Sequence, residues 1–210
     1  MRLILYVFVF SIGMSLKVAA QESFKGGLKI GIVGSQIDGD TLSGYSKANI
    51  HGGLWVERSI NEKISVKGSI QYSERGVLGR EPYMNGDQET SIIVRKWRFY
   101  YVDLPVTGYF KTNSKFTVVG GVGFAYLFGA YIEEYGVEYN TDLRSKYNRW
   151  DYTGIVGINY PLLDKLTLDV LFQYSLMPAA RGIERNPYMP FNKSAGFNHN
   201  LLGFYLNYEF

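Results

Sequence analysis

The sequence predicts an all-β protein, an eight-stranded antiparallel up-and-down transmembrane β-barrel. Three observations point there. From Gly26 to Phe210, the stretches able to form strands carry their apolar side chains on even-numbered positions, the period of two that a pleated strand imposes. The connections between them alternate short and long, as in a barrel whose hairpins turn tightly at one end and project at the other. Polar residues fall on the odd positions, among them Ser65, Lys67, Ser69, Gln71, Asp103, Asp169 and Gln173. Apolar side chains then face outward, which suits lipid and not water.

In chain order, residues 1–20 read as a signal peptide. Arg2 supplies the positive start, residues 3–10 the apolar run, and Val18-Ala19-Ala20 a small-residue cleavage site before Gln21. Residues 21–210 form the barrel domain, with strands expected at 26–35, 48–58, 63–75, 96–111, 115–130, 148–160, 165–177 and 197–210. Each is long enough for the about 9–11 residues of a tilted spanning strand. Leu28, Ile30 and Ile32 mark the outer face of the first, Ile50, Leu54 and Val56 that of the second, and Ile64, Val66, Ile70 and Tyr72 that of the third. The fourth shows Val102, Leu104, Val106 and Phe110, and the fifth Val118, Val122, Phe124, Tyr126 and Phe128. Tyr152, Val156, Ile158 and Tyr160 mark the sixth, and Leu166, Leu168, Val170, Phe172 and Tyr174 the seventh. The eighth alternates most cleanly: Leu202, Phe204, Leu206, Tyr208 and Phe210 against Leu201, Gly203, Tyr205, Asn207 and Glu209. Short turns are expected at 59–62, 112–114 and 161–164, and long loops at 36–47, 76–95, 131–147 and 178–196, which puts both mature termini at the periplasmic end.

Composition agrees with a single β domain. The chain has 210 residues, 24 Gly, 18 Tyr and no Cys, which excludes a disulfide-stapled fold and lipid attachment through a thiol. No run of about 18 apolar residues follows Gln21, so membrane crossing falls to strands. Without Arg2 and Lys17, 20 basic residues face 19 acidic ones, which gives no support to a nucleic-acid partner.

Several segments together resemble the PorT-type outer-membrane β-barrel family. They are Phe24-Lys25-Gly26-Gly27-Leu28-Lys29, His51-Gly52-Gly53-Leu54, Gly68-Ser69-Ile70-Gln71-Tyr72-Ser73-Glu74-Arg75-Gly76, Tyr101-Val102-Asp103-Leu104-Pro105-Val106, Gly120-Gly121-Val122-Gly123 and Phe204-Tyr205-Leu206-Asn207-Tyr208-Glu209-Phe210. The element of aromatic, acidic, hydrophobic and proline residues around Asp103 is the most specific of these. The resemblance spans essentially the whole mature chain. It implies an outer-membrane barrel without a catalytic motif, and the secretion role of the family's namesake is not transferred.

Inward charges are the most interpretable constellation. Lys29 is expected to meet Glu57 and Glu209, and Lys67 to pair with Asp103, because unpaired buried charge is expensive. His51 and His199 are both odd-numbered and fall near the external ends of strands two and eight, with Asp151 at a similar level, so they form a candidate rim site. They lack a third ligand or nucleophile at diagnostic spacing. The commoner role of such residues is as hydrogen-bonded interior side chains. No phosphate-binding loop, nucleophile elbow or zinc motif is present, so neither catalysis nor a cofactor is expected.

Eight strands leave room for side chains and little else, which disfavours an open pore. The function expected is a membrane scaffold or interaction protein acting through external loops, chiefly 131–147 and 178–196. The first of these carries Glu133, Glu134, Tyr135, Glu138, Tyr139, Asp142, Arg144 and Tyr147; the second carries Arg181, Arg185, Pro187, Tyr188, Pro190 and Phe191. A narrow gated channel and a rim enzyme using His51 and His199 are the alternatives. The partners expected are the lipid bilayer, an extracellular protein or ligand, and the barrel-insertion machinery. That machinery would read Phe204, Leu206, Tyr208 and Phe210 as the C-terminal signal.

Overall fold

Among the described residues, alternating sequence builds nine strands, eight of which close on themselves. The computed structural model describes residues 24–38, 44–85, 88–139, 147–179 and 198–210, with backbone alone at 81–85 and 88–93. The strands are β1 (Phe24–Asp38), β2 (Lys47–Ser59), β3 (Ile64–Asn85), β4 (Gln88–Lys111), β5 (Thr117–Glu134), β6 (Val137–Tyr139), β7 (Trp150–Leu163), β8 (Leu166–Ser175) and β9 (Asn198–Glu209). Neighbours run antiparallel in the order β4-β3-β2-β1-β9-β8-β7-β5, and pairing of β4 with β5 shuts the barrel. β6 is a three-residue return that pairs only with the tip of β5. It follows a two-residue turn in which Tyr135 and Gly136 both have positive φ, 49° and 76°, the geometry that matches the twist of a tight hairpin.

Outward positions are apolar along the wall: Ile32 is 66% exposed, Ile50 62% and Val122 62%. So continuous an apolar belt has no place on a protein bathed in water and every reason to exist on one bathed in lipid. No helix among the described residues is long and apolar enough to cross a membrane; the strands do the crossing.

The expected eight strands are all present, with three changes of extent. Residues 76–95, expected as a loop, are mostly ladder: β3 and β4 stay paired out to Asn85 opposite Gln88. The sequence of this outer part lacks the apolar alternation that marks a spanning strand, so the pattern does not reveal it. β5 continues to Glu134 and shifts register against β4 beside Tyr100 and Tyr101. One extra residue on β5, Phe128, flips the face of everything beyond it, so even-numbered Ile132 turns inward and is buried. β7 runs on through Pro161 with a bulge, which moves the last short turn to Asp164 and Lys165. Residues 1–20, expected as a signal peptide, Asp142, Arg144 and the basic and aromatic residues at 181–191 lie outside the described residues.

Candidate functional site

The lumen is where this barrel concentrates its chemistry, and three tiers of side chains cross it. At the level of Arg75, β3 projects a fully buried guanidinium into the interior. Its Nη2 donates to both oxygens of Asp103 on β4 at 2.9 Å, and its Nη1 donates to Asp151 on β7 at 2.5 Å. Ser175 on β8 donates to the same Asp151 oxygen at 2.6 Å, and the Tyr101 ring lies 4.4 Å beneath the guanidinium carbon. Two carboxylates and one ring around a single cation satisfy the requirement that a buried charge be paired and hydrogen-bonded. Because β3 and β7 are not neighbours, the bridge crosses the lumen.

Toward the short turns, Asp169 on β8 is the hub of a second tier. Tyr109 from β4 donates to it at 2.9 Å, Asn159 from β7 donates at 2.7 Å, and Lys29 from β1 lies at 3.5 Å. Between these polar tiers sit Val33, Tyr109, Val119, Ile155, Leu171, Leu201 and Tyr205, a buried apolar cluster. Toward the long connections a third tier, Ile37, Val77, Trp97, Phe99, Tyr101, Ala125, Leu127 and Ile132, packs as a second cluster.

Both histidines are fully buried and each is spoken for by a different partner set. His51 Nε2 lies 3.0 Å from the Glu74 carbonyl, which can only accept, so this nitrogen carries the hydrogen. His51 Nδ1 then accepts from the Tyr205 hydroxyl at 3.2 Å, and that hydroxyl accepts from Gln173 at 2.7 Å. His199 Nε2 bonds the Tyr101 hydroxyl at 3.1 Å, and its ring packs edge-on to Phe99 and Tyr101. Asp151 serves Arg75 and does not join them. Among the described residues no group of three or more His, Cys, Asp or Glu is placed to hold a metal.

The expected charge partners are inward but differently matched, and strand register explains why. Lys29 stands opposite Gly53 and Asn207, not Glu57 or Glu209, and it turns to Asp169. Glu57 stands directly across from Lys67, which it meets at 3.2 Å. Lys67 in turn stands opposite Thr107, four residues from Asp103, so Asp103 goes to Arg75. Glu209 takes Lys25 at the mouth, 3.0 Å away. Arg75 is the functional residue missed by sequence reasoning. Its odd number gave the inward direction, and a fully enclosed cation requires carboxylates; only the tertiary fold says which two. Phe204, Leu206, Tyr208 and Phe210 all lie on the outer face, as alternation requires.

A closed antiparallel barrel with a lipid-facing belt and a filled lumen defines an integral membrane β-barrel protein. The family model described as "Outer membrane protein beta-barrel domain" matches residues 11–181, and the chain belongs to that family. It is therefore an outer-membrane protein in contact with the lipid bilayer. Similar solved structures include the attachment invasion locus protein Ail of Yersinia pestis, at 12% identity and TM-score 0.50, covering 90% of this chain and 99% of that one. Neisserial surface protein A is also similar, at 12% identity and TM-score 0.51, covering 89% of this chain and 97% of that one. At these identities the likeness is one of fold. No curated protein matches the chain.

Proposed function

We propose that this protein is a non-catalytic scaffold of the outer membrane that presents an extracellular β-hairpin and its neighbouring loops to a partner. The observation that carries this reading is the contrast between a packed lumen and an overlong hairpin. The tiers of Arg75, Asp169 and the two apolar clusters occupy the interior, while β3 and β4 have 22 and 24 residues. That is about twice the 9–11 a spanning strand needs, and the tip past the last pairing with β5, Arg80 to Asn85, stands roughly 20 Å clear along its strands.

Both described ends, Phe24 and Phe210, lie at the short-turn mouth, where the Phe210 amide donates to the Gly26 carbonyl at 3.1 Å. Short turns facing the periplasm are the rule for such barrels, which supports a hairpin that points outside, and an outer-membrane location supports reading residues 1–20 as a removable export signal. The PorT-type reading rests on the resembling sequence segments, two of which meet in the lumen, where Arg75 of Ser73-Glu74-Arg75-Gly76 clasps Asp103 of Val102-Asp103-Leu104-Pro105.

The alternative of a narrow channel makes the opposite electrical prediction. Purified folded protein in planar bilayers is expected to give no discrete conductance steps, and regular openings that respond to Lys67→Ala or Asp103→Ala would replace the scaffold reading with transport. Orientation is checked separately, by adding protease to intact cells: cleavage within 80–93 is expected, and cleavage only at the short turns would reverse the assignment.

A further inference from the structure

At the long-connection end the outward face of the barrel changes character, and on one side only. On β3, β4, β5 and β7 the apolar wall ends in aromatic rings. Tyr72 and Tyr100 lie 6.4 Å apart with Phe128 6.3 Å from each, and Trp150 lies 4.9 Å from Phe124 and 4.6 Å from Tyr126. Rings at such a level mark the boundary between hydrocarbon and headgroups. Cations come next. Arg98 stands one step beyond Tyr100 on the same face of β4, with Lys96 beyond it and 5.5 Å over the Tyr131 ring. Arg149, half-buried just before β7, lies 5.2 Å over the Tyr126 ring. β5 runs between the two arginines.

Two glutamates offset this charge only in part. Lys47 already holds Glu74 at 2.6 Å, which leaves Arg98 3.7 Å from that carboxylate with a side chain 42% exposed. Glu133 accepts from the Tyr131 hydroxyl at 2.8 Å and meets Lys96 at 3.4 Å. Arg149 has no acidic partner among the described residues. The opposite side of the same rim is uncharged or acidic: Gln36 donates to Asp38 at 3.1 Å and Tyr45 to Asn200 at 2.8 Å, with no exposed Lys or Arg there among the described residues.

We propose that this side of the rim seats a glycolipid carrying two phosphates, with the phosphates on Arg98 and Arg149 and the acyl chains against the aromatic belt. A guanidinium offers paired donors that match phosphate oxygens. The rings directly below the cations select a lipid, because a free anion gains nothing from apolar surface while an acylated one fills both layers. The separation of the two arginines by β5 selects two phosphates: a phospholipid with a single phosphodiester meets one guanidinium and leaves the other unused. Placement in the outer leaflet rests on the orientation proposed above, whereas binding by purified protein does not, so the two ideas fail separately.

The test is native mass spectrometry of the protein folded in neutral detergent and titrated with bis-phosphorylated lipid A, its dephosphorylated form or phosphatidylglycerol, with inorganic phosphate as competitor. Bis-phosphorylated lipid A is expected to be retained saturably. Dephosphorylation, or the combined substitutions Lys96→Gln, Arg98→Gln and Arg149→Gln, is expected to weaken binding by about ten-fold or more. The control is Lys111→Gln, Lys115→Gln and Lys165→Gln, which removes the same charge from exposed lysines around the mouth at the short-turn end and is expected to bind as the parent does. Heat-modifiable mobility on gels shows that each variant is folded, and the lipid comparisons on the parent need no variant. Equal retention of the dephosphorylated lipid or of phosphatidylglycerol, undiminished binding by the Lys96, Arg98 and Arg149 variant, an equal loss in the control, or displacement by millimolar phosphate would each overturn the proposal.

Discussion

Arg75 shows how one side chain can tie three strands together across a lumen. Replacing it by Met leaves Asp103 and Asp151 buried without their cation, and breaking such a pair costs about 3–5 kcal/mol. Arg75→Met is expected to lower stability by that amount in urea unfolding from lipid vesicles. The triple variant Arg75→Met, Asp103→Leu, Asp151→Leu should recover much of the loss, because no charge is stranded. A single variant as stable as the parent would remove Arg75 from its central place. Glycine matters at the same scale where a ring lies on it. A Cβ at Gly203 would sit 2.4 Å from the Tyr205 ring, with all three of its nearest contacts on that side chain, while one at Gly120 would meet nothing within 4 Å. Gly203→Ala is therefore expected to destabilise by about 1–3 kcal/mol and Gly120→Ala hardly at all, with Tyr205→Leu relieving the first. Equal effects at the two glycines in the same unfolding assay would contradict the packing account.

Two elements carry separable tasks. The β3–β4 hairpin is continuous with the wall, and β4 keeps β5 as a neighbour as far as Arg95, yet the hairpin's tip, residues 80–93, pairs only with itself, out to Asn85 and Gln88. Replacing residues 81–92 by a two-residue turn should leave the heat-modifiable barrel intact while abolishing any partner binding at the cell surface. Loss of the folded band would mean that the hairpin is part of the barrel's stability. β9 lies between β1 and β8 and is followed by Phe210, which is exposed on the outer face. If the insertion machinery reads that strand, deleting Phe210 lowers the yield of membrane-inserted protein in cells without preventing refolding into detergent. Undiminished insertion would show that the signal lies elsewhere. The extended hairpin could not be read from sequence because residues 76–95 lack the apolar alternation that a lipid-facing strand carries. Phe128 hid a bulge for a related reason: an apolar residue in an apolar run gives no sign that the ladder slips beside it.

For the whole molecule, closure and solvent are what the residue pattern determined. Odd and even positions assign the side chains of the spanning strands to lumen or lipid, as far as the slip at Phe128 in β5, because a pleated strand has a period of two, and the short and long connections set the number of crossings; both are local properties that survive without knowledge of which strands meet. Lys29, Lys67, Asp103, His51 and His199 were each legible as inward residues on that basis. Their partners were not. The stagger of each ladder decides that Lys67 faces Glu57 and that Lys29 reaches Asp169 past β9, and the narrow diameter lets Arg75, Tyr101 and Tyr109 span to strands far away in sequence. The sequence by itself determined that this chain is a barrel in a membrane, since alternation is enforced residue by residue by the solvent on each face. Only the tertiary structure decided that its lumen is crossed by Arg75 between two carboxylates and open as a lysine-rimmed mouth at one end, since contacts across a closed ring depend on register and curvature that no single strand encodes.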